Sequence, residues 1–221
     1  MPINLSPILD RWQFLAYGLW TTLVVSSLAI SLGFGLGLFI GLLRTYYGRW
    51  LDVPCGFFVD TMRSIPVLVI LIWAYFGIPL ITGISWSTRT AGIVGLGCHL
   101  SAYVAEVIRA GLTSIRPGQF RAGLTLGMSP FQIVRTIIVP QAAIRMLPPL
   151  GSLVIITVKD SAIAAVIAVP ELMRQSQIIA QWTFRPFEVY TVAMIVYFLI
   201  CFPLARGIDR LYRRLAPLGS S

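Results

Sequence analysis

Few residues in this 221-residue chain can do chemistry, and most of them stand inside apolar sequence. Lys159 and Asp160 are adjacent within Leu147 to Ala168, a run that is otherwise uncharged. An ion at the centre of a bilayer costs on the order of 3 kcal/mol on insertion scales, so each needs a cavity or a partner. Neighbours in sequence point in different directions on a helix and do not face each other. Two readings stay open. One is an ion pair with another span, for instance Lys159 with Glu106. The other is a polar pocket, Thr157 included, that grips the carboxylate or amine of a zwitterionic or charged solute. Glu106 and Arg109 stand at i, i+3 and can pair along one helix face while Arg109 snorkels to the interface. Asp60 and Arg63 repeat the spacing and are read the same way. His99, the one histidine, lies beside Ser101 and Tyr103, as a solute-path residue or as a hydrogen-bonding bridge between helices. His99, Tyr103, Glu106, Thr157, Lys159 and Asp160 are therefore the candidates for lining a solute path.

Other chemistries find no residues. A phosphate-cradling G-x-x-x-x-G-K-[ST] loop needs a lysine after glycines, and the one lysine, Lys159, follows Ile-Thr-Val. Any ATP-driven work is therefore expected on a partner subunit. No carboxylate pair, histidine cluster or nucleophile–base set stands near a membrane face, which argues against an enzyme. Cys55, Cys98 and Cys201 have no ligand spacing and read as small apolar packing residues, so neither a metal nor another cofactor is expected. The net charge of +9 does not indicate nucleic-acid binding, because the arginines fall between apolar runs rather than on one polar face.

These side chains must be positioned by membrane helices. The chain is 57% hydrophobic and only 11% charged, with a mean hydropathy of +0.84; soluble domains carry about 25% charged residues. Five apolar stretches, 14–43, 53–81, 91–112, 147–168 and 189–205, are each long enough for a span of ~20 residues. They lack the alternation of barrel strands, and only helices satisfy their own backbone in hydrocarbon. The expectation is one all-α, multi-pass transmembrane domain over 1–221. The N-terminus has no basic n-region and the first run outlasts an h-region, so that run should remain as a span. Arg44, Arg49, Arg109, Arg116, Arg121, Arg135, Arg145, Arg206, Arg210, Arg213 and Arg214 fall on one side, against Arg11, Arg89, Arg174 and Arg185 on the other. Positive-inside then places the N-terminus outside and the C-terminus in the cytoplasm, as five crossings require. Gly33, Gly35, Gly37 and Gly41 make overlapping G-x-x-x-G steps, a close-packing surface that a second subunit could share.

Between the third and fourth runs lies the mixed segment 113–146. A short helix fits Gln119 to Leu126, started after Pro117-Gly118 and stopped at Gly127. A second fits after Ser129, an N-cap type followed by Pro130 in the favoured first position. Two helices turning at a glycine make a protruding cytoplasmic elbow. It could transmit force from a partner or lie as an amphipathic loop on the membrane.

Several separated motifs then resemble one family, the permease subunits of ABC importers in the polar amino-acid branch. The elbow is similar to that family's E-A-A-x3-G-x9-I-x-L-P signature, with Ala122, Gly127, Ile137 and Pro140 in place. Arg121 stands where the family has Glu, Gly123 where it has Ala and Val139 where it has Leu. Glu106-Val-Ile-Arg-Ala-Gly-Leu-Thr-Ser-Ile-Arg-Pro-Gly-Gln119, Val59-Asp-Thr-Met-Arg-Ser-Ile-Pro66, Val158-Lys-Asp-Ser161 and Val169-Pro-Glu-Leu172 extend the resemblance from about Gly18 to Leu211. It implies a type I importer permease in the bacterial inner membrane. It implies coupling to a cytoplasmic ATPase dimer through Gly118, Gln119, Arg121, Ala122, Gly123, Leu126 and Gly127, with Arg121 asking for an acidic or carbonyl contact. It also implies a second permease, identical or paralogous, an extracytoplasmic solute-binding protein and an amino-acid substrate. The alternative is an ion-coupled secondary transporter or channel.

Overall fold

The computed structural model describes residues 6–216, and every regular element among them is helical. After one helical turn at Ser6–Leu9, eight helices follow: α1 Trp12–Tyr46, α2 Arg49–Ser64, α3 Val67–Thr82, α4 Thr88–Thr113, α5 Pro117–Thr125, α6 Pro130–Ile167, α7 Leu172–Thr183 and α8 Pro186–Leu215. Four of them, α1, α4, α6 and α8, are long and apolar enough to cross a membrane; α2 and α3 supply a fifth crossing if taken together as one broken span.

α4 is the central post. Its Leu100, Val104, Ile108 and Leu112 pack with Ile115 and with Ala142 and Met146 of α6. α1 lies along α4 on a glycine seam: a Cβ at Gly33 would stand 2.7 Å from Leu100, one at Gly37 2.5 Å from Val104, and one at Gly41 2.8 Å from the Ala105 carbonyl. Close approach of this kind is how helices associate without a hydrophobic drive between them. The seam is therefore internal, not a surface for a second subunit, and only Gly35 of the four faces open space.

The second apolar run does not make a straight span. α2 and α3 are bent by 106° at Ile65-Pro66, where Ile65 is extended at φ −96°, ψ 131°. A residue before proline is pushed out of the helical region, and this one takes the turn there. Further on, α3 and α6 each contain a wider, i→i+5 turn, Trp73–Gly77 and Val134–Ile138. In both cases a proline, Pro79 or Pro140, follows directly after the residue that closes the wide turn. Such a turn accommodates a ring that would clash with the carbonyl four residues back.

The fourth span is longer than its apolar core. Its helix begins at Pro130, so the second elbow helix is the first turn of α6 rather than a separate element, and α6 narrows to a 3-10 segment at Ser161–Ile167. α7 has no counterpart among the five runs. It packs back along α1, where Gly18 lies under Leu172 and Gln175 and Phe14 meets Trp182 edge-on.

Candidate functional site

The elbow is built from local signals. Pro117 occupies the first turn of α5, where its missing N–H costs nothing. At the other end Gly127 adopts φ 75°. Its N–H donates to the Leu124 carbonyl at 3.0 Å, and that of Met128 to the Gly123 carbonyl at 3.1 Å, the paired bonds of a Schellman termination. Ser129 then caps α6 reciprocally: its N–H donates to Gln132 Oε1 at 2.8 Å and its Oγ accepts from the Gln132 N–H at 3.3 Å. Gly123 is buried with Ile133 against it, so a Cβ there would stand 2.6 Å from the isoleucine. Arg145 of α6 donates to the Ser114 carbonyl at 2.8 Å, bracing the elbow's two roots.

Of the coupling candidates, Gly118, Arg121, Ala122, Leu126 and Gly127 are exposed and Gln119 is half-buried. Gly123 faces inward and shapes the turn instead of presenting a surface. Sequence reasoning missed two large apolar side chains beside the turn, Leu124 and Phe131. With Leu126 at 79% and Phe131 at 71% exposure, the tip is an apolar knob flanked by Arg121. The available signal was an apolar residue on each side of a glycine stop.

The solute-path candidates separate into two places. His99, Tyr103 and Glu106 share α4. His99 and Tyr103 meet edge-on at 5.1 Å, and no hydrogen bond from His99 to a neighbouring helix occurs among the described residues. Glu106 pairs with Arg109 as its spacing predicts. It also binds Arg44 of α1 at 3.0 Å and lies 4.0 Å from Arg63 of α2, while Arg44 reaches Asp52 at 3.1 Å. Three helices are thereby tied at one carboxylate. The expected Asp60–Arg63 pair does not form: Arg63 turns to Glu106 and lies over the Tyr103 ring at 5.6 Å. Asp60, Arg63, Ser64 and Tyr103 instead line a polar cavity of about 370 Å³ at the α2–α3 bend.

Lys159 and Asp160 lie elsewhere. Lys159 shares a cleft of about 380 Å³ with Tyr197, Phe198, Cys201 and Phe202 of α8, opposite the middle of that helix. The Lys159–Glu106 pair considered from sequence is absent. Asp160 is half-buried at the last α-helical turn, and Thr157 spends its hydroxyl on the Leu153 carbonyl of its own helix at 2.9 Å. No hydrogen bond or ion pair joins these three to the α4 group among the described residues.

One buried acid escaped sequence reasoning. Glu171 is fully buried and caps α7, accepting from the N–H groups of Met173 at 2.8 Å and Arg174 at 2.6 Å and from the Tyr197 hydroxyl at 2.8 Å. Burial pushes its carboxyl up to about 7, against the lowering effect of those donors.

Residues 33–217 match the family model described as binding-protein-dependent transport system inner membrane component. The chain is 35% identical to the probable amino-acid ABC transporter permease protein YckA of Bacillus subtilis (strain 168), over 90% of this chain and 87% of that one. It is 34% identical to the glutamine transport system permease protein GlnP of Escherichia coli (strain K12), over 97% and 99% respectively. Among solved structures, an amino acid ABC transporter crystallised with histidines is similar at a TM-score of 0.90 and 34% identity, covering 97% of this chain and all of that one. A glycine-terminated elbow between membrane helices, together with a match along nearly the whole chain, settles the family: the chain belongs to the inner membrane components of binding-protein-dependent transport systems.

Proposed function

We propose that this chain is the permease subunit of an ATP-driven importer of polar amino acids, and that α5 with the Gly127 turn is its coupling element. The observation that carries the reading is the elbow. Its backbone is closed by its own caps, while the side chains of Arg121, Leu124, Leu126 and Phe131 face outward with no hydrogen-bond or ion-pair partner among the described residues. A cytoplasmic ATPase dimer docks on that knob, and a second permease, identical or paralogous, completes the solute path. A solute-binding protein delivers the amino acid at the opposite, extracytoplasmic end. In this orientation the N-terminus is outside and the arginine-rich elbow end is cytoplasmic. Catalysis of ATP hydrolysis belongs to the partner, and this chain needs no cofactor or metal.

The same reading assigns the solute to the bend cavity. Asp60 and Arg63 offer one anion and one cation for the α-ammonium and α-carboxylate of a zwitterion, with Ser64 and Tyr103 supplying hydroxyls. The volume suits a small polar ligand. Lys159, Asp160 and His99 are the further candidates along the path, with Glu106 and Thr157 holding its walls.

The test is uptake into proteoliposomes holding the chain with its co-purified ATPase and second permease. Uptake should require ATP and persist without an ion gradient; uptake on a gradient alone would favour an ion-coupled carrier. Replacing Arg63 with Gln should raise the half-saturating solute concentration while ATP hydrolysis continues. For orientation, a cysteine at Ser129 in a chain lacking its native thiols should resist an impermeant reagent in intact cells, whereas one at Thr183 should react.

A further inference from the structure

We propose that Arg206, Arg210, Arg213 and Arg214 of α8 form a binding stripe for the headgroups of anionic glycerophospholipids. All four are exposed. At about 100° per residue they gather on one side of the helix, opposite Ile208. Ile208 packs on α6, where a Cβ at Gly151 would stand 2.3 Å from it. The arginines therefore point away from the protein.

The same side of α8 is apolar one turn earlier. Ile195 and Leu199 are 48% and 62% exposed, an outward face that suits lipid chains. The Phe198 and Phe202 rings stack at 5.1 Å, and the Arg206 guanidinium lies over Phe202 at 5.2 Å. That contact marks where the apolar stripe changes to a cationic one. From Arg206 to Arg214 the helix rises about 12 Å, against a headgroup layer of roughly 5–8 Å per leaflet. Arg206 and Arg210 fall within that layer, and Arg213 and Arg214 at its aqueous margin.

The charge is not spoken for. None of the four arginines makes an ion pair among the described residues, and the one nearby acid is the exposed Asp209. Arg44 and Arg109, on helices at the same end, are both neutralised by acids of this chain. Four outward cations continuous with a lipid-facing surface fit phosphodiester groups anchored by acyl chains, each arginine adding about five-fold to affinity. Because α8 packs through Ile208 on α6, the helix that starts at the elbow, a lipid held here steadies the pair from which the elbow projects.

The experiment is native mass spectrometry of the full chain in a neutral detergent, titrated with phosphatidylglycerol or with phosphatidylethanolamine. The wild type should retain phosphatidylglycerol at least ten-fold better. The four-fold Arg→Gln variant should lose that preference, the four-fold Arg→Lys variant should keep most of it, and Arg135→Gln, exposed at the same end but off the stripe, should change nothing. If the four-fold Gln variant does not fold, Arg210→Gln and Arg213→Gln alone should each weaken retention about five-fold. Equal retention of the two lipids by the wild type, or unchanged preference in the Gln variants, overturns the proposal. So does displacement of the lipid by millimolar inorganic phosphate, which would make this a free-anion site. Lipid retention in detergent requires neither transport nor a particular orientation, so it stands or falls separately from the importer reading.

Discussion

The chain turns between helices in two contrasting ways. At the elbow, residues 126–129 join α5 to α6 through bonds among near neighbours: a left-handed glycine, two Schellman bonds and a reciprocal serine–glutamine cap. At the other corner, residues 168–171 join α6 to α7 with Ala168 at φ 59°. That corner carries the same local closure, with the Ala168 N–H on the Ala165 carbonyl at 3.0 Å, the Val169 N–H on the Ala164 carbonyl at 3.2 Å and Glu171 capping Met173 and Arg174. It is also tied from far away, by Tyr197 on the Glu171 carboxylate and by the Leu172 N–H donating to Thr22 Oγ1 at 3.1 Å. The elbow keeps its shape by itself and leaves its side chains exposed. The corner closes locally in the same way but spends its polar side chains inward, tying itself to the bundle around it. A part that must carry force to another subunit needs the first design, and a part that closes a helix inside the bundle can use the second.

The contrast breaks most visibly at Glu171. Replacing it with Ala removes a cap and orphans buried donors on Met173, Arg174 and Tyr197, which together should cost about 3 kcal/mol. Denaturant unfolding in detergent at pH 5, where the carboxyl is protonated, measures this. No comparable loss is open to a single capping residue at the elbow: Ser129→Ala should cost about 1 kcal/mol.

The corner should also respond to pH where the elbow does not. A carboxyl raised to about 7 in the fold, from 4.5 in the unfolded chain, binds more protons folded than unfolded between those values. Stability from this group is thus fully present below pH 4.5 and is lost as the pH rises to about 7, up to about 3 kcal/mol in all. Unfolding the wild type and Glu171→Gln side by side from pH 4.5 to 8 should show the wild type falling relative to the variant. A constant difference would mean that the carboxyl titrates normally.

The elbow breaks more gently and with a different readout. Gly127→Val places a β-branched side chain at φ 75°, costing about 1–2 kcal/mol. The chain should still insert and fold, while ATP-dependent uptake is abolished because the knob is re-aimed. Normal uptake by this variant would remove the coupling role from the turn.

The same contrast explains what could be read from the residues alone. Pro117, Gly127, Ser129 and Pro130 act on their immediate neighbours, so the elbow was visible in a short stretch of sequence. The Glu106–Arg109 pair, three residues apart on one helix, was visible for the same reason. Pro66 was also in view, yet a proline within an apolar run permits a kink or a break, and its presence alone does not set a bend of 106°. α7 and Glu171 depend on Thr22 and Tyr197, distant in sequence, and α7 itself is too polar to stand out as an apolar run. Arg63 shows the limit for sites: its i−3 neighbour Asp60 suggested a local pair, but Glu106 on another helix lies 4.0 Å from it, and Asp60 lines the polar cavity beside it without pairing.

The smallest expected effect on stability is also the sharpest test of the elbow's purpose. Leu126 and Phe131 are so exposed that replacing both with Ser removes almost no buried surface, and the unfolding free energy should move by less than about 0.5 kcal/mol. If the knob exists to seat in a partner, the same double substitution should cut ATP-dependent uptake about ten-fold, the loss expected when an apolar anchor is truncated at an interface. Binding of the purified ATPase to proteoliposomes should weaken in parallel, which separates lost docking from lost transport. Unchanged docking would leave the elbow a rigid turn with an ornamental tip, and the force would have to enter through Arg121 or the braced α4–α6 roots instead.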